Sequence, residues 1–255
     1  MIHYSIYKLE GKPWVTFVHG AGGSSRIFYK QLNYFKSQFN VLLIDLRGHG
    51  KSAQLNNSSC RKYTFNIITK DILDILDKEQ IKKTNMIGIS MGSIIIRNFV
   101  NLYPDRIDKA VLGGMVVKFN NFTLSLLYIT RIIKNIAPVM LLYKALAKII
   151  LPKKAHKSSK NKFIREAKKL TKQEFLNWFG LTKELPSIFA SFETQTNIPI
   201  LYIQGGEDHL FINDVKKHVA NRKSERLKII PDCGHLINLQ SPTIFNYEAA
   251  KFLLQ

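Results

Sequence analysis

A serine between two glycines, Gly88-Ile89-Ser90-Met91-Gly92, is the residue best placed to do chemistry. The pattern is G-x-S-x-G, which presents a hydroxyl on a tight strand-to-helix turn. A serine hydroxyl is a poor nucleophile until a base removes its proton, and the usual base is a histidine oriented by a carboxylate. Both partners lie downstream, Asp208 in Gly205-Gly206-Glu207-Asp208-His209 and His235 in Pro231-Asp232-Cys233-Gly234-His235. The order serine, acid, histidine is one of the known chain orders for such a set. Glu207 competes with Asp208, since either carboxylate can orient a histidine. His209 and His218 have no metal-ligand spacing, so neither a metal site nor a cofactor is expected. Residues 20–23 resemble a phosphate loop, but no Gly-Lys-Ser/Thr ending follows.

These side chains meet only if the surrounding elements bring them to one place. Residues 84–87 read as a short apolar strand and 93–100 as a helix that stops before Pro104. Gly88 and Gly92 are expected where a Cβ would clash across the turn. The helix would aim its free N–H groups at negative charge forming beside Ser90. Asp208 follows a strand at 200–204 and His235 follows a strand at 227–230. Further strands are expected at 2–9, 14–19, 41–45 and 109–113, with helices at 25–38, 64–78, 213–220 and 242–254. Apolar strands alternating with amphipathic helices imply a mostly parallel sheet of about seven strands, covered on both faces. Loops at the C-terminal edge of such a sheet would carry Ser90, Asp208 and His235 to one another.

Residues 118–194 break the rhythm with helical patterning and no strand. They read as a lid inserted into a core of residues 1–117 and 195–255. The apolar side chains of this segment, among them Phe119, Phe122, Leu127, Ile129, Ile132 and Leu141, are expected mostly to pack lid on core, with a minority lining a pocket.

The chain resembles the α/β-hydrolase superfamily, specifically its small capped esterases and lipases. The marks are His19-Gly20-Ala21-Gly22-Gly23-Ser24, Asp45-Leu46-Arg47-Gly48-His49-Gly50-Lys51-Ser52, the serine turn, Gly205-Gly206-Glu207-Asp208 and Gly234-His235. The resemblance implies Ser90 as nucleophile, Asp208 as acid and His235 as base. It also implies an oxyanion hole from the backbone N–H groups of Ala21 and Met91. Gly20, Gly88 and Gly92 would support these turns, and His19 would brace the loop carrying Ala21. His49 reads as a structural member of its turn. The departure is N-terminal: the family opens with two strands before the His-Gly strand, and only one is available here. Related dehalogenases and epoxide hydrolases carry aspartate at the elbow, so Ser90 argues against both.

The activity this implies is hydrolysis of carboxylic esters with short to medium acyl chains, as in a carboxylesterase or a monoacylglycerol lipase. The same triad also serves C–C bond hydrolases, lactonases and a synthase of menaquinone biosynthesis, and the fold does not choose among them. A non-enzymatic receptor or membrane-associated module is the alternative from another class.

Bulk properties narrow the setting. The 255 residues suffice for one α/β domain with an insertion. Cys60 and Cys233 form no disulfide framework and suit a reducing cytoplasm. The N-terminus lacks the features of a signal peptide, and no apolar run is long enough to span a bilayer. The net charge is +20. Residues 118–194 hold 15 Lys and Arg against four Glu, so this segment carries more than half of that charge. An AT-rich genome explains part of it, and attraction to an anionic membrane surface is the sharper alternative. No nucleic acid partner is expected, and oligomeric state is not legible.

Overall fold

A computed structural model describes residues 1–54 and 63–255, so Cys60 lies outside the described residues. The chain runs through β1 (Tyr4–Tyr7), β2 (Trp14–Val18), α1 (Tyr29–Phe35), β3 (Asn40–Ile44), α2 (Phe65–Lys78), β4 (Thr84–Ile89), α3 (Met91–Leu102) and β5 (Ile107–Gly113). Five helices follow: α4 (Asn121–Ile133), α5 (Val139–Ile150), α6 (Lys157–Ala167), α7 (Lys172–Gly180) and α8 (Leu185–Ser191). The chain then closes with β6 (Ile200–Gly205), α9 (Ile212–Val219), β7 (Glu225–Ile230), α10 (Ile237–Gln240) and α11 (Pro242–Leu254). Seven strands form one sheet in the order β1-β3-β2-β4-β5-β6-β7. Only β1 is antiparallel to its neighbour.

Side chains alternate across each strand and so feed two cores. Val15 and Phe17 of β2 face the layer of α1 and α11, with Phe35 and Phe245. Val18, together with Leu42 and Ile44 of β3, faces the layer of α2, α3 and α9, with Ile72, Phe99 and Val215. Strand β2 lies between β3 and β4, so the chain leaves it first to one side and later to the other. A crevice opens where such connections diverge, at the C-terminal ends of the strands. The loops after β2 and β4 both border it.

Local chemistry sets the element ends. The Thr64 hydroxyl accepts from the Ile67 N–H at 3.1 Å and caps α2. Residues 25–38, expected as one helix, open with a 3-10 turn over Ser25–Phe28, and α1 ends at Phe35. Helix α3 starts at Met91, two residues earlier than its apolar pattern suggests. Ser90 itself makes the turn, so no linker residue is needed.

The insertion between β5 and β6 corrects one expectation. Trp178, Leu185 and Ile188 of α7 and α8 join the main core, and Tyr143, Ala167 and Phe175 form a smaller one. Helix α4 does not pack this way: Thr123 is its one buried residue. Its Phe122, Tyr128, Ile129 and Ile132 are 51–67 % exposed, because α4 touches the rest of the chain along one side only.

Candidate active site

Ser90 has φ 57° and ψ −120°, a region that a residue with a Cβ adopts only where its surroundings force it. Here the force is close backbone packing. A Cβ on Gly92 would lie 2.1 Å from the Val18 carbonyl oxygen, and one on Gly88 would lie 2.7 Å from the backbone of Gly92. The carbonyl of Gly113, at the end of β5, accepts from the Ser90 N–H at 2.8 Å and from the Ser93 hydroxyl at 2.9 Å. The strained turn is thus fastened to the neighbouring strand.

The structure brings Ser90, His235 and Asp208 into one hydrogen-bonded line. His235 Nε2 lies 2.9 Å from Ser90 Oγ, and His235 Nδ1 lies 2.8 Å from Asp208 Oδ2. His235 and Asp208 are buried, and Ser90 is half-buried. Gln204, the penultimate residue of β6, donates from Nε2 to the same Asp208 oxygen at 2.7 Å and accepts the Met115 N–H at 3.1 Å. Gln240 accepts the Gly234 N–H at 3.0 Å and holds the histidine loop from behind. The sequence reading missed both glutamines, since neither sits in a motif. A polar residue ending the strand before Asp208 was the one signal available for Gln204.

Glu207 is turned elsewhere. Its carboxylate meets Lys153 and His156 of the insertion, the latter at 2.8 Å. The Lys153 hydrogen bond is the largest influence holding the Glu207 pKa below its usual value. Of the two adjacent carboxylates, the one that touches His235 is Asp208.

The loop after β2 lies against the serine turn. A Cβ on Gly20 would stand 3.2 Å from Ser90 Cβ and 3.7 Å from the Met91 nitrogen. The Gly23 N–H closes a turn onto the Gly20 carbonyl at 3.1 Å, with Gly22 at φ 71°. Ala21 sits at the bend. Neither its N–H nor that of Met91 donates to a protein acceptor among the described residues. Two histidines brace this loop. His19 is bonded to the Gly20 carbonyl at Nδ1 and accepts the Leu46 N–H at Nε2, 3.0 Å away. His49 accepts the Gly22 N–H at Nε2, 2.9 Å away, and is bonded to the Arg47 carbonyl at Nδ1. Each imidazole must be neutral to accept at one nitrogen and donate at the other. Burial lowers the pKa of both, that of His49 to about 3. Trp178 of the insertion stands edge-on to His49, with centroids 4.8 Å apart, and donates to the Arg47 carbonyl at 3.0 Å.

A cavity of about 220 Å³ covers Ser90. The core contributes Ile94, Val116 and Phe211 to its wall, and the insertion contributes Phe119, Leu127 and Phe163. Among the described residues Glu166 of α6 is its one ionisable wall residue apart from His235, and no Lys or Arg lines it. Cys233 is buried, and burial raises its thiol pKa to about 11, so it stays a protonated packing group. Among the described residues no cluster of three or more His, Cys, Asp or Glu is placed to hold a metal ion.

Comparison with known proteins agrees with this architecture. The family described as the alpha/beta hydrolase fold matches residues 13–126 and 141–242. A Bacillus subtilis protein named "Putative 2-succinyl-6-hydroxy-2,4-cyclohexadiene-1-carboxylate synthase" is 26% identical, over 94% of this chain and 89% of its own length. Human Protein ABHD8 is 24% identical over 93% of this chain, which spans only 54% of that protein. Among solved structures, MenH from S. aureus superposes with a TM-score of 0.85 at 20% identity, covering 99% of this chain and 98% of its own.

Proposed function

The chain belongs to the α/β-hydrolase family, and from that premise we propose that it is a serine hydrolase of carboxylic esters with short to medium acyl chains. The supporting observation is the hydrogen-bonded line Ser90–His235–Asp208 at the floor of an apolar cavity. Asp208 holds the His235 tautomer whose proton is on Nδ1, which leaves Nε2 free to take the Ser90 proton. Ser90 Oγ bonds to the ester carbonyl carbon as that proton moves. The carbonyl oxygen becomes an oxyanion facing the Ala21 and Met91 N–H groups, donors worth about 2.7–4 kcal/mol each in such sites. Collapse breaks the carbon–oxygen bond, and His235 gives its proton to the departing alcohol. Water then repeats the sequence on the acyl-enzyme and releases the acid.

The cavity favours a neutral acyl group. Its volume falls below the roughly 300–1,000 Å³ of sites for drug-sized ligands, which suits a short or medium chain. The similarity to a protein named as a carboxylate synthase supports a second reading, a different reaction on an acidic substrate. Among the described residues a substrate carboxylate held wholly inside this cavity would meet Glu166 and no wall cation. Glu166 stays ionised: burial works to raise its pKa, but hydrogen bonds from Lys169 and Ser24 outweigh burial and hold it low. A panel of p-nitrophenyl esters of rising chain length tests the choice. Turnover that peaks among short and medium acyl chains is expected. No turnover of any neutral ester, alongside conversion of a carboxylate-bearing substrate, would move the function to the second reading.

A further inference from the structure

A second and larger cavity, about 930 Å³, adjoins the one over Ser90. The two share Ile27, Glu166 and Leu239 in their walls. Their chemistry is opposite. Among the described residues no Lys or Arg lines the inner cavity, whereas the outer one is lined by Arg26, Lys51, Lys162, Arg165 and Lys169. Two carboxylates also line the outer cavity, and both are engaged by the protein. Asp45 accepts the backbone N–H groups of Ser25 at 2.7 Å and Lys51 at 2.9 Å. Glu166 accepts the Ser24 hydroxyl and the Lys169 ammonium, each at 2.7 Å. Among the described residues the side chains of Arg26, Lys51 and Arg165 make no hydrogen bond or ion pair. Lys162 is held 4.0 Å over the Tyr29 ring. Ser24 and Ser25, which directly follow the loop carrying Ala21, also line the outer cavity.

An ester that fits both cavities carries an uncharged acyl chain inward and an anionic group outward, on the alcohol or thiol that leaves. We propose that the outer cavity binds a phosphate group on the leaving side of the substrate, so that the enzyme acts on acyl esters or thioesters of phosphorylated alcohols or thiols. Four cations without a carboxylate partner among the described residues, Arg26, Lys51, Lys162 and Arg165, exceed what a single carboxylate needs. A phosphate monoester carries about −1.5 to −2 charges at neutral pH and three acceptor oxygens, and arginine forks match its geometry. The inference rests on the ester-hydrolase reading above and uses the same step. The acyl–oxygen or acyl–sulfur bond breaks, and the leaving atom departs with the proton from His235, still bearing its phosphate.

The test compares two soluble substrates that differ only in phosphate, monobutanoylglycerol and its glycerol phosphate counterpart, on the full chain. A third substrate, butanoyl-coenzyme A, carries phosphate on a thiol unrelated to lipid. At low salt kcat/KM for the phosphate-bearing glycerol ester is expected to exceed that of the neutral ester by about tenfold or more, and the excess to shrink as salt screens the cations. In the pair Arg26→Gln with Arg165→Gln, kcat/KM should fall about tenfold more for the phosphorylated ester than for the neutral one, chiefly through KM. The pair Arg26→Lys with Arg165→Lys should restore most of the preference. If the glycerol phosphate ester is the better of the phosphorylated substrates the source is a lipid-like head, and if the thioester is better it is a soluble carrier. Equal kcat/KM for neutral and both phosphorylated substrates would overturn the proposal while leaving ester hydrolysis intact. Absence of turnover on all three, with Ser90 unreactive, would instead overturn the reading beneath it.

Discussion

Replacing His49 with phenylalanine separates the support of the loop that carries Ala21 from the packing around it. Phe keeps an aromatic ring between His19 and Trp178, whose centroids lie 5.0 and 4.8 Å from that of His49, and removes both nitrogens. The two lost hydrogen bonds are unequal. The Arg47 carbonyl keeps the Trp178 N–H at 3.0 Å, so it is not orphaned. The Gly22 N–H has His49 Nε2 as its acceptor and is left unsatisfied in a buried site, which costs about 1–3 kcal/mol. That cost falls on the residue next to Ala21. If the loop relaxes so that the Ala21 N–H no longer faces the oxyanion, kcat falls by up to the worth of one such donor, about 10²–10³-fold. Urea unfolding and hydrolysis of a neutral p-nitrophenyl ester measure the two effects. The pH dependence is a third readout. His49 stays neutral in the folded chain down to about pH 3 but binds a proton in the unfolded chain from about pH 6.5 downward. The unfolded state therefore holds more protons in that window, and stability falls as pH falls, by at most about 1.4 kcal/mol per pH unit from this group. His49→Phe should flatten the slope above pH 5, before the carboxylates titrate. A variant with kcat within about twofold of wild type and the same pH slope would refute the bracing role.

Asp208→Asn presents an amide where His235 Nδ1 needs an acceptor, and kcat should drop by about 10⁴, the loss seen in the best-studied protease triad. Glu207→Gln, which disturbs only Lys153 and His156, should cost far less; the reverse ranking in steady-state kinetics would move the acid by one residue. Gly92→Ala places a methyl group 2.1 Å from the Val18 carbonyl oxygen and should destabilise the fold by about 3 kcal/mol or more, read as a lower melting temperature; an unchanged one would contradict the packing of the serine turn. The exposed apolar side chains of α4 lie beside Arg131 in the basic insertion, and we propose contact with anionic lipid there: the chain should sediment with anionic vesicles at low salt and release at high salt, whereas equal recovery with neutral vesicles would remove the proposal.

What the sequence makes legible follows from where the information sits. Ser90, Asp208 and His235 each occupy a short motif at the end of an apolar strand, and parallel topology alone carries such ends to one edge. Ile87, Ile203 and Ile230 could be placed in the core from apolar runs. Contacts between distant segments were not legible. Nothing near Gln204 states that its amide will reach Asp208, and the bond from Gly22 to His49 joins loops 27 residues apart. Either carboxylate of Glu207-Asp208 could orient a histidine, and the contacts that separate them, Lys153 and His156 on Glu207 and His235 on Asp208, come from distant segments. The surface of α4 was misread because its apolar residues have helical spacing, which reports a face but not what covers it. No helix among the described residues is long and apolar enough to cross a membrane.

The central claim is that His235 and Asp208 make Ser90 a nucleophile. Intact-mass measurement after exposure to a fluorophosphonate tests it most directly, because such probes record serine activation without any assumption about substrate. A single adduct on Ser90 is the expected result, absent in Ser90→Ala and strongly reduced in His235→Ala. Equal labelling of the wild-type chain and Ser90→Ala would contradict it.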